Sequence, residues 1–91
     1  MNRVRWKTLD DLEESLREFQ RLYAEDPARR RELRDLVIRA KDRARYASRN
    51  PKGAPEKRAE KSEMVEWMLV WLGDPSMFSD WVTLRRRQLL G

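Results

Sequence analysis

Apolar positions fall at helical spacing into four groups, and breaks rich in proline and glycine separate them. Leu9, Leu12, Leu16, Phe19 and Tyr23 recur at steps of three and four, which lines them up on one helix face. Thr8 stands ahead of them as an N-cap with Asp11 three residues on, a near relative of the capping box. Asp10, Asp11, Glu13 and Glu14 crowd the first turns, where the helix dipole favours anions. A first helix is predicted from Thr8 to about Glu25.

The second helix is predicted to open at Asp26–Pro27, a cap followed by a first-position proline. Its stripe is Leu33, Leu36, Val37, Ala40, Ala44 and Ala47. The change from Leu to Ala predicts a C-terminal half that lies close to a neighbour. "NPKGAP", from Asn50 to Pro55, stops it. The third helix starts near Pro55 or Glu56. Its first turns, "EKRAEKSE", are polar, and its end, "MVEWMLVWL", is apolar nearly all round. A helix of that kind is expected to be enclosed by others, so the third is predicted to be central. Gly73 suits the left-handed position just past its end. Asp74–Pro75 then repeats the cap and proline. A fourth helix carries Phe78, Trp81 and Val82, with Leu84 or Leu89, and closes on "RRRQLLG". The prediction is one all-α domain spanning 1–91, a compact bundle of about four short helices.

Composition narrows this further. A chain of 91 residues buries only about 60–65% of its unfolded surface, so its core must be dense in large side chains. Four Trp, two Phe and four Met supply that density. Charged residues make up 41% of the chain, a level seen in disordered proteins, but helical periodicity between recognisable caps argues for a fold. The opening residues, "MNRVRWKTLDD", hold no apolar run of the kind a secretory leader needs. The longest apolar run, "WMLVWL", is far short of the ~20 residues of a membrane span. A soluble cytoplasmic protein without a membrane partner is therefore expected.

Chemistry is sparse. There is no His and no Cys, which removes the commonest general base, the usual zinc ligands and disulfides. Gly53, Gly73 and Gly91 stand too far apart for a phosphate-binding loop. Glu56, Glu60 and Glu63 share a helix face, but Lys57, Arg58 and Lys61 interleave them, so they read as solvated charge pairs and not as a cation site. No catalytic residue, metal ligand, cofactor or small-molecule substrate is identified, and the chain is not expected to be an enzyme. Glu66 is the one charge within "MVEWMLVWL" and is expected to pair with an arginine of the second or fourth helix.

Two surfaces remain as candidates. Trp67, Trp71 and Trp81 are most simply core, yet four short helices have limited room for three indoles, so an interface with a second copy or a partner protein is also expected there. The positive charge is local: residues 27–61 hold 13 basic and 5 acidic side chains. Winding the second helix at ~100° per residue lines up Arg31, Arg34, Lys41, Arg45 and Arg49 beside its apolar face. Such a row can track phosphates. No aromatic interleaves it and no Asn or Gln reads bases from it, so specific DNA recognition is not expected. The first helix offers its own acidic band, Asp11, Glu14, Glu18 and Glu25, which is expected to border part of the row. The functional expectation is a non-catalytic module for protein interaction or self-association. Non-specific nucleic-acid binding through the basic row is the alternative.

Overall fold

The computed structural model describes residues 6–91, so part of the stretch read above for a leader lies outside the described residues. Four α-helices follow in order: α1 Leu9–Glu25, α2 Arg30–Ser48, α3 Pro55–Gly73 and α4 Phe78–Leu90. No strand occurs among the described residues. The helices form one body of 40 × 30 × 18 Å. The fold is all-α, and α3 is its centre, touching each of the other three.

Local chemistry explains most boundaries. Thr8 is extended and its hydroxyl accepts from the Asp11 N–H at 3.2 Å, capping α1 as its sequence predicts. The predicted cap at Asp26 is corrected. Its carboxylate makes no cap bond, and a 3-10 turn over Pro27–Arg29 precedes α2. The same turn recurs over Pro75–Met77, but there Asp74 does accept from the Ser76 N–H (3.1 Å) and hydroxyl (2.7 Å). Ser76 supplies the second donor that Ala28 lacks.

Gly73 is a second correction. The helix runs through it and ends on Asp74, which is extended at φ −157° as a residue before proline prefers. The only positive φ among the described residues is at Gly91.

The core is continuous. Leu12 and Leu16 of α1, Leu33 and Val37 of α2, Met64, Trp67, Met68 and Trp71 of α3, and Phe78 and Val82 of α4 are its innermost members. Edge-to-face rings tie it together: Trp6 to Phe19, Phe19 to Trp71, Tyr23 to Trp71, and Trp67 to Trp81. The Trp71 indole N–H donates to the Leu16 carbonyl at 3.2 Å, satisfying a buried donor. Trp6, ahead of the first cap and outside any helical period, is also buried.

The expected full enclosure of α3 does not hold. Glu66 and Leu69 face solvent, and no ion pair or hydrogen bond is made by the Glu66 side chain among the described residues. On α4, Leu84 and Leu89 also point outward. Arg85 and Arg86, and not these leucines, reach across to α3 and α1.

Candidate functional site

Sorting the cations by partner separates structural from free ones. Arg86 lies over the Trp67 ring at 5.0 Å and donates to Glu13 at 2.8 Å and to Asp10, both on α1. Arg85 grips Glu63 of α3 with two parallel bonds of 2.6 and 2.7 Å, and the Trp67 indole N–H adds a third at 2.8 Å. These arginines tie α4 to the bundle. Hydrogen bonds from Arg85, then from Trp67, hold the Glu63 carboxyl below the usual range against its partial burial. At Glu13 burial pushes upward, but the bonds from Arg86 and Arg17 together outweigh it and the carboxyl is again lowered.

The three glutamates once aligned as a row are thus dispersed. Glu63 belongs to Arg85, Glu60 accepts from the Leu9 N–H at 3.3 Å, and Glu56 is exposed. No group of three or more metal-ligating side chains is gathered among the described residues.

The five-member row on α2 is broken. Arg34 donates to the Leu72 carbonyl at 2.8 Å, satisfying an orphan acceptor in the last turn of α3. The Lys41 side chain is largely covered and its ammonium lies 3.2 Å from Asp42. Arg31 is exposed near the other end of α2. Arg45 and Arg49, one helical turn apart, make no side-chain hydrogen bond or ion pair among the described residues. Nor does the acidic band meet the row. Glu18 and Glu25 pair with Arg21 on their own helix, and the α1 acids that cross to another helix are Asp10 and Glu13, toward α4.

Arg45 and Arg49 share a shallow depression of about 460 Å³ with Asp42, Tyr46, Asn50 and Pro51. Tyr46 is 80% exposed. On α2 it lies about 100° round the helix axis from Arg45, outside the basic row. Its ring borders the same depression as the two arginines, so an aromatic lies beside this end of the row. Of these side chains the closing turn uses only that of Asn50. Ser48 Oγ donates to the Arg45 carbonyl at 2.7 Å, and the Arg49 and Asn50 N–H groups reach the Tyr46 and Ala47 carbonyls. Asn50 accepts from the Lys52 N–H at 3.0 Å and tightens the link to α3. From Arg45 to Arg58, the closed end of the α2–α3 hairpin holds five cations and one acid.

The indoles resolve differently. Trp67 and Trp71 are fully buried within one chain, so both are core and not interface anchors. Trp81 is half-buried against Trp67. No helix among the described residues is long and apolar enough to cross a membrane. Compared with known proteins, the chain matches no family model, no curated protein and no solved structure.

Proposed function

We propose that the chain is a non-catalytic helical interaction module that receives an acidic segment of a partner protein on the closed end of the α2–α3 hairpin. The observation that carries this reading is Tyr46, 80% exposed and sharing a depression with two arginines that make no side-chain bond among the described residues. Tyr and Arg dominate the energetic centres of protein interfaces. A guanidinium without an internal partner is suited to grip a carboxylate with two bonds. The patch is compact, which favours a short acidic segment over an extended polymer.

The second reading is single-stranded nucleic acid, and Tyr46 favours it as well, since an exposed ring beside arginines is a platform for base stacking. Against it stands the broken row: Arg34 and Lys41 are already engaged, so few phosphates can be tracked.

Fluorescence anisotropy separates the two, using a labelled Asp/Glu-rich peptide and labelled mixed-sequence oligonucleotides. Saturable binding of the peptide is expected, weakened about tenfold or more by Tyr46→Ala or by Arg45→Gln with Arg49→Gln, the loss of a hot-spot contact. Oligonucleotide binding tighter than peptide binding, with a log–log salt slope near about −1.4 for two phosphates on a single strand, would replace the proposal with the second reading.

A further inference from the structure

The alanines of α2 do more than allow a close approach. Ala40, Ala44 and Ala47 form the floor of a trench that runs about 10 Å along the helix axis. Met64 and Met68 of α3 make its far wall, and Trp6 lies alongside. The cavity measures about 310 Å³, at the lower end of the range for small-molecule sites. Among the described residues, the charged side chains lining it are Lys7, Arg43 and Lys61, and no carboxylate lines it. Lys61 is held in place by the Trp6 and Lys7 carbonyls, each 3.4 Å from its ammonium. Lys7 is exposed at the rim.

An apolar trench with a purely cationic rim selects a ligand with a thin apolar body and one anionic head. We propose that it binds a linear medium-chain carboxylate, the chain lying over the three alanines and the head meeting Lys7 and Lys61. A narrow floor of methyl groups admits an extended chain more readily than a ring, and methionine walls adapt to its outline. The site is independent of the Tyr46 patch, because Tyr46 lies about 200° round the helix from Ala44. Either proposal can fail without the other.

The test is a titration of the full chain, carbon-13 labelled at alanine methyls, with octanoate below its micelle concentration. Hexanoate and octanol serve as comparisons. Saturable shifts of the Ala40, Ala44 and Ala47 methyls are expected. Hexanoate, two methylenes shorter, should bind about fifteen-fold more weakly. Lys7→Gln should weaken octanoate and leave octanol unchanged. Ala44→Leu should fill the trench and abolish the shifts of Ala40 and Ala47, with an unchanged circular dichroism spectrum. If that variant unfolds, Ala47→Leu, at a half-buried position, replaces it. Methyls that do not move at millimolar octanoate would overturn the proposal, as would equal affinity for octanol and octanoate. Methyl shifts that depend on protein concentration alone would assign the trench to a second copy of the chain and overturn it too.

Discussion

Glu63 and Glu66 stand on the same helix within one turn of each other, and both act electrostatically on Arg85, but only Glu63 bonds to it. Glu63 accepts from Arg85 and Trp67 with only 15% of its side chain exposed, while Glu66 faces solvent. Glu63→Ala should therefore lower stability by roughly 1–2 kcal/mol, since it strands a guanidinium and an indole N–H. Glu66→Ala should stay within about 0.5 kcal/mol. Urea denaturation of the two variants checks both, and equal losses would contradict the assignment. The sequence points to Glu66 because it interrupts an apolar run. What it does not reveal is the line along which α4 crosses α3, and that line decides which carboxylate meets an arginine. Trp6 escapes for a related reason: a lone indole ahead of the first cap has no periodic partners, and its burial depends wholly on a groove made by other helices.

At the scale of elements, punctuation is the best-preserved signal. Thr8, "NPKGAP" and the two Asp–Pro pairs all mark real boundaries, because a proline acts on its own backbone and a cap on N–H groups two or three residues away. Finer detail escapes where two local solutions compete, as at Gly73. There the preference of a residue before proline for extended backbone ends the helix at Asp74 and leaves the glycine in a conformation any residue adopts. A Cβ added at Gly73 would meet nothing within 4 Å. Gly73→Ala should thus raise stability by about 0.4–1 kcal/mol by restricting the unfolded chain. A thermal melt that shows destabilisation would mean that the glycine serves another purpose. The alanine stripe of α2 was legible as a close approach. That it also leaves a trench depends on Met64 and Met68 standing opposite, and helical spacing on one element is silent about the other.

For the whole molecule, the four-helix architecture and the central place of α3 follow from hydrophobic spacing, while the distribution of ion pairs does not. Each arginine has the same reach and charge, so only the docked helices distinguish the clamps Arg85 and Arg86 from the unengaged Arg45 and Arg49. The clamps set the acid response. Glu13 and Glu63 have carboxyls lowered from an ordinary value of 4.5, so the folded state binds their protons less readily than the unfolded chain. Their contribution is present above that value and is lost as pH falls through the lowered folded-state range. With no His in the chain, Tm should hold nearly level from neutral pH to about 5 and then decline. Glu13→Gln with Glu63→Gln should start lower and decline less, and a decline as steep as that of the unmodified chain would show that other carboxylates govern it.

The unbalanced charge at the closed end of the hairpin also has a kinetic meaning. Five cations and one acid lie from Arg45 to Arg58, while α1 and α4 hold ion pairs that offset one another. The resulting field would turn an anionic partner of the proposed kind toward Tyr46 before contact is made. Salt within a Debye length of ~8 Å at physiological strength erases that guidance without touching the contact itself. Encounter would slow as ionic strength rises, while residence time, set by the seated ring and its neighbours, would barely change.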